Sequence, residues 1–176
     1  MKLGAVMASV LLVALSLGPA GAQDGLDIIN NPAEPQVTGA SPKLRDDPSV
    51  QGGKALRIAV RGKGANPWDV AVESAVEKPV KAGDSLLLAF WARLEQGEDG
   101  ATSSTLPYNA VQLSAAPYSG VFAAPVTIGP EWKLHEVRGK AERDHAAGTL
   151  KATIHLATAT QTVDLGPLFV VNLGQE

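Results

Sequence analysis

The segment from Gly83 to Arg93 has the pattern of a turn followed by a long strand with two different faces. Because side chains alternate between the faces of a strand, Leu88 and Phe90 share an apolar face that suits a protein core. The opposite face holds Trp91 beside Arg93, which places a large aromatic ring next to a fork of hydrogen-bond donors. The segment therefore predicts a half-buried strand and suggests that its second face recognises carbohydrate.

The same alternation recurs along the chain, and each run is bounded by residues typical of turns. The further predicted strands cover residues 55–61, 68–73, 109–115, 121–128, 132–138, 149–157 and 162–171. Runs with the period of an amphipathic helix do not separate them. This order favours an all-β fold, an antiparallel β-sandwich or jelly roll, in a single domain.

The first 22 residues have the pattern of a cleavable signal peptide. Lys2 precedes a mostly apolar run from Leu3 to Leu17, and Ala20-Gly21-Ala22 supplies the small residues at a cleavage site. We expect a secreted or periplasmic protein without membrane insertion of the mature chain. Residues 23–53 are rich in turn formers and predict an irregular segment that joins the sandwich, and residues 54–176 predict the sandwich itself.

Charge and cysteine content narrow the function classes. Without the predicted signal peptide, the chain has 14 basic and 18 acidic side chains and no basic stripe, so nucleic-acid binding is not expected. The chain has no cysteine, so core burial alone must hold the domain.

The usual catalytic motifs are missing from the sequence. It has no Gly-x-Ser-x-Gly elbow and no thiol nucleophile. His135, His145 and His155 lack compact metal-ligand spacing, and alternation places His155 on a solvated strand face. Asp69 and Glu73 would lie about 13 Å apart on one strand, too far for the carboxylate pair of a glycosidase. We expect a protein that is not an enzyme.

Three further residues are candidates for ligand binding or for the core. Trp68 shares a face with Val70 and Val72, which predicts a core position. Gln112 falls on the outward face of its strand, where its amide could bond to a sugar hydroxyl. Tyr118 flanks the same strand and could rim a groove.

The order of several segments resembles carbohydrate-binding modules of families 4 and 9. The segments that carry the resemblance are 54–60, 66–70, 80–84, 88–93, Trp132, 162–167 and 169–174. It implies a galactose-binding-like jelly roll that binds a polysaccharide or oligosaccharide on the concave face of one sheet, without catalysis. Transferred by position, it implies Trp91 and Gln112 as the main ligand contacts, together with Arg93, Trp68 and Tyr118.

The resemblance also bears on cofactors and partners. It requires no cofactor for binding, but it leaves open a structural calcium, with Asp164 as the candidate ligand. It further implies action alone or beside a separate glycoside hydrolase. Two other hypotheses remain open at this point, an envelope structural or protein-interaction jelly roll and a small glycan hydrolase or esterase.

Overall fold

The computed structural model describes residues 26–175, so the predicted signal peptide lies outside the described residues. The described part is built from strands, three short 3-10 turns and loops. The strands are β1 Asp27–Ile28, β2 Gln36–Thr38, β3 Lys43–Asp46, β4 Lys54–Arg61, β5 Ala71–Ala75, β6 Ser85–Gln96, β7 Ser104–Leu113, β8 Gly120–Ile128, β9 Lys133–Lys140, β10 Leu150–His155 and β11 Thr160–Gly174. Within residues 26–175, no helix is long and apolar enough to cross a membrane.

The strands form two antiparallel sheets that pack as a β-sandwich of the jelly-roll type. The six-stranded sheet has the order β3-β4-β11-β6-β9, and β1 pairs with the second half of β11. The five-stranded sheet has the order β2-β5-β10-β7-β8. The all-β, antiparallel sandwich predicted from the alternating runs is confirmed.

The core lies between the two sheets and takes one face of each long strand. On β6, Leu86, Leu88 and Phe90 are buried in the core as their alternation predicts. On β10, Ile154 and its same-face neighbours meet them from the other sheet. Burying side chains of this size contributes about 1.5–3 kcal/mol each, which suits a chain without disulfides.

The segment from residue 26 to residue 53 contributes strands to both sheets. β1 and β3 extend the six-stranded sheet, and β2 pairs with β5 at the edge of the five-stranded sheet. The buried Asn30 side chain joins the two sheets by donating to Ser74 Oγ and to the Leu168 carbonyl, both at 2.9 Å. It also accepts from the Val170 amide at 2.7 Å.

The strand that was predicted to begin at Trp68 begins later in the structure, and the prediction that Trp68 lies in the core is wrong. Pro67–Asp69 form a 3-10 turn, in which the Asp69 carboxylate accepts from the Asn66 amide at 2.9 Å. Trp68 consequently lies on a turn and is 57% exposed. The apolar alternation from Val70 onward is real, but Pro67 starts a turn that breaks its phase.

Candidate functional site

The outer face of the five-stranded sheet, which we call the binding face, is defined by the register of its strands. Lys151, Thr153 and His155 on β10 point away from the core, since their neighbours Ala152 and Ile154 lie within it. The residues paired with them across the sheet join the same face. These are Glu73 and Ala110 opposite Thr153, and Gln112 opposite Lys151.

An aromatic cluster stands at one end of the binding face. The His155 imidazole stacks on Tyr108 with ring centroids 4.7 Å apart, and it meets Trp68 edge to face at 5.9 Å. Gly120 leaves room for Tyr108, because a Cβ at that position would lie 3.0 Å from the Tyr108 hydroxyl oxygen. The exposed Trp68 ring is therefore backed by two packed rings.

His155 is buried, whereas the sequence predicts a solvated histidine. Its strand face is the predicted one, but Trp68 and Tyr108 cover it and leave it 9% exposed. Burial lowers the pKa of His155 below its ordinary value, with Glu73 opposing and Lys151 adding to the effect. The neutral imidazole is thus the favoured form within the aromatic cluster.

A second exposed ring lies towards the other end of β10. Lys151 Nζ lies 5.3 Å from the centre of the Tyr118 ring and 2.6 Å from Glu73 Oε1. Tyr118 is 53% exposed, and its backbone is left-handed with φ of 55°, an uncommon conformation for a bulky residue. The loop after β7 thus presents this ring to solvent over a fixed ammonium group.

Two polar side chains lie between these ends. Thr153 is fully buried and its Oγ1 makes no hydrogen bond within residues 26–175. Gln112 is 7% exposed, and its amide keeps accessible surface. Because most buried polar groups in proteins are paired, the unpaired Thr153 hydroxyl sets this outward face apart, and the Gln112 amide beside it can reach a ligand.

Trp91 and Arg93 do not share a surface with Gln112. They lie on β6, on the outer face of the six-stranded sheet, whereas Gln112 lies on the other sheet. Trp91 Nε1 donates to Gln51 Oε1 at 3.0 Å, and Gly166 lies against Trp91 Cβ. The prediction of one groove holding Trp91, Gln112 and Arg93 is therefore wrong.

Asp164 is surrounded by arginines. Arg57 donates to both carboxylate oxygens at 2.8 and 2.9 Å, Arg93 donates at 2.8 Å and Arg45 at 3.3 Å. Burial alone raises the pKa of Asp164, but hydrogen bonds from Arg57 and Arg93 outweigh it and hold this pKa below its ordinary value. These guanidinium groups supply the charge that a calcium ion would bring, so we assign Asp164 to this ion-pair network.

A neighbouring contact completes the network. Trp132 lies over the Arg93 guanidinium, 5.3 Å from ring centre to Cζ, and donates from Nε1 to Asp47 Oδ2 at 3.2 Å. Trp132 thus anchors the start of β9 to this network. Residues 26–175 contain no group of three or more His, Asp or Glu side chains arranged to hold a metal ion.

Sequence reasoning missed three residues of the binding face, Glu73, Lys151 and Thr153, whereas Tyr108 is one of the residues that it places at the rim of a groove. Alternation within residues 149–157 already places Lys151 and Thr153 on one outward face. The missing information is the register between strands, which sets that face against Glu73 and Gln112. Gln112, Trp68 and Tyr118, three predicted ligand residues, do lie on or beside this face.

No family model and no curated protein matches the chain. Solved structures do match its fold. The second N-terminal cellulose-binding domain of Cellulomonas fimi beta-1,4-glucanase C is 16% identical with a TM-score of 0.62, over 86% of this chain and 98% of that one. The CBM22-1 xylan-binding domain of Paenibacillus barcinonensis Xyn10C is 13% identical with a TM-score of 0.57, over 88% and 100% of the two chains.

A structure described as CBM4 is 15% identical with a TM-score of 0.58, over 81% of this chain and 88% of that one. At such low identity these matches establish the fold alone. The chain has the jelly-roll fold of carbohydrate-binding modules, as its segment order suggests.

Proposed function

We propose that this protein is an exported, non-catalytic carbohydrate-binding protein that docks a glycan on the binding face. One observation carries the proposal: the outward-facing Gln112 amide and the buried, unpaired Thr153 hydroxyl share one sheet face with two rings, Trp68 and Tyr118, that are each more than half exposed. Unpaired polar groups and exposed rings both cost stability, and a ligand that satisfies both explains their retention.

A sugar fits this combination of groups. The C–H face of a pyranose ring stacks on an aromatic ring, as it would on Trp68, while its hydroxyls need donors and acceptors set into an otherwise apolar surface. The Gln112 amide offers both a donor and an acceptor. The fold shared with cellulose-binding and xylan-binding domains supports the same class of ligand.

The carboxylates near this face have structural partners. Glu73 is paired with Lys151, and Asp69 caps the 3-10 turn beneath Trp68. A hydrolase needs one carboxylate free as a base or nucleophile and another as an acid, so these contacts favour binding without catalysis. Hydrolysis of the bound glycan would then require a separate glycoside hydrolase.

The proposal is tested by binding of the mature chain to a glycan array and to insoluble cellulose and xylan. Trp68→Ala should lower the affinity for the preferred glycan about fivefold to thirtyfold, since stacking on a large ring contributes on the order of 1–2 kcal/mol. Leu134→Ala is the matched control, because Leu134 is an exposed apolar residue on the other sheet. Unchanged binding by the Trp68 variant, or no glycan bound at all, would refute the proposal.

A further inference from the structure

The Glu73–Lys151 ion pair lies at the middle of the binding face. Its residues pair diagonally across β5 and β10, and Thr153 is the direct neighbour of Glu73. His155, which contacts Trp68, and Lys151, which contacts Tyr118, are four residues apart on β10, or about 13 Å. The ion pair therefore separates two exposed rings along one strand.

Lys151 is held from two sides. Its side chain is only 17% exposed, with the Glu73 carboxylate at 2.6 Å and the Tyr118 ring at 5.3 Å from Nζ. An ammonium group and the face of an aromatic ring attract each other, and the attraction strengthens as the ammonium group loses its water. Because Tyr118 lies on a loop in a left-handed conformation, this contact fixes where its ring faces.

The ion pair also has hydrogen-bonding capacity to spare. An ammonium carries three donors and a carboxylate about four acceptor sites, and their mutual contact at 2.6 Å uses one of each. Glu73 and Lys151 can therefore accept from and donate to vicinal hydroxyls above Thr153. Their charges already compensate each other, so the middle of the face offers no free positive charge to an acidic sugar.

Resting on the proposed function, we propose that the Glu73–Lys151 pair is the central specificity element of the binding face. It hydrogen-bonds the hydroxyls of a neutral sugar unit that lies between Trp68 and Tyr118, along β10. Through its ammonium group, Lys151 is also the positioning residue for Tyr118. The ligand is accordingly a neutral oligosaccharide long enough to reach both rings.

A double-mutant cycle tests the positioning role, with the glycan identified on the array as the probe. Lys151→Met and Tyr118→Ala should each weaken binding, and the combined loss should be smaller than the product of the two single losses, because Lys151→Met also displaces the ring that Tyr118→Ala removes. Lys151→Arg, which keeps the cation and the ion pair, should restore most of the affinity. Additive losses, or no rescue by arginine, would overturn the positioning role.

A length series and an acidic glycan test the rest. Affinity should rise steeply between the disaccharide and the hexasaccharide of the array ligand. Trp68→Ala should lower the affinities for these two oligosaccharides by different factors. Glu73→Gln should weaken the binding of a neutral hexasaccharide and raise the affinity for oligogalacturonate relative to it. The reason is that Lys151 then carries an uncompensated charge. A flat length series or unchanged discrimination would overturn the central role of the pair.

Two controls separate this inference from the proposed function. Arg138→Met removes a comparable ion pair, Arg138 with Glu136 at 2.9 Å, from the other sheet and should leave binding unchanged. Thermal unfolding of every variant shows whether a loss of binding is a loss of fold. If Trp68→Ala abolishes binding while the cycle is additive, the binding face stands and only the role of Lys151 fails.

Discussion

The two outer faces of the sandwich contain similar residues in opposite states of pairing. On the six-stranded sheet, Trp91 donates to Gln51, and Arg57 and Arg93 share the Asp164 carboxylate. On the five-stranded sheet, Thr153 is buried without a partner, Gln112 faces outward, and the rings of Trp68 and Tyr118 remain exposed. Both faces combine aromatic rings with hydrogen-bonding side chains, so residue type alone does not distinguish them.

The difference lies in what each face still lacks. A polar group that is already paired has little to offer a ligand, because binding would only exchange one partner for another. An accessible polar group without a protein partner can bond to a ligand without giving up another contact. The outer face of the six-stranded sheet, which we call the saturated face because its polar groups are paired, therefore stabilises the fold. The binding face, which by contrast is the unsaturated face, is the place for recognition.

The largest effect should come from the saturated face. Asp164→Ala leaves the partly buried guanidinium groups of Arg45, Arg57 and Arg93 without their shared partner, and breaking such a network should lower the free energy of unfolding by about 3 kcal/mol. Chemical denaturation measures this loss. Glycan affinity of the folded variant should stay within about twofold of wild type, and a large specific loss of affinity would show that the two faces are not separate in function.

A smaller change in the free energy of unfolding, of opposite sign, should come from the unsaturated face. Thr153→Val keeps the shape of the side chain but removes a buried hydroxyl without a partner, so the free energy of unfolding should rise by about 1 kcal/mol. Chemical denaturation measures this gain. A variant that is less stable would mean that Thr153 has a partner in the free protein.

The smallest effect is a pH dependence at the aromatic cluster. The pKa of His155 is lowered in the folded protein by burial, so the unfolded chain binds the proton more readily. The free energy of unfolding should therefore fall as the pH drops below the ordinary histidine value of about 6.5. His155→Phe should flatten this dependence in acid denaturation profiles. His135 and His145, whose pKa values are also lowered by burial, add to the slope near this pH, and carboxyl groups with lowered pKa values such as Asp84 and Asp164 add to it in stronger acid.

Alternation predicts the strands and their faces because it depends only on local geometry. The two faces of β6, the inward set of β10 and the outward position of Gln112 all follow from counting residues along a run. Which sheet a strand joins depends on long-range pairing, which leaves no local pattern. The sequence therefore placed Trp91 beside Gln112, while pairing of β6 with β11 and of β7 with β10 put them on different sheets.

Trp68 and His155 show a second limit. Their local patterns are those of a core tryptophan and a solvated histidine, and the structure exchanges these roles. The 3-10 turn that begins at Pro67 moves Trp68 out of strand phase and over the sheet, where it shields His155 from water. Burial here depends on one side chain covering another, which no periodicity expresses.

The pairing of β1 with the second half of β11 brings residues 27 and 172 together on the six-stranded sheet. Asp27 lies opposite Asn172, and Gln175 donates to the Ala82 carbonyl nearby. The five-stranded sheet is the other layer of the sandwich. A tether, surface linkage or fused domain at either end would consequently leave the binding face open, with the sandwich itself acting as the spacer.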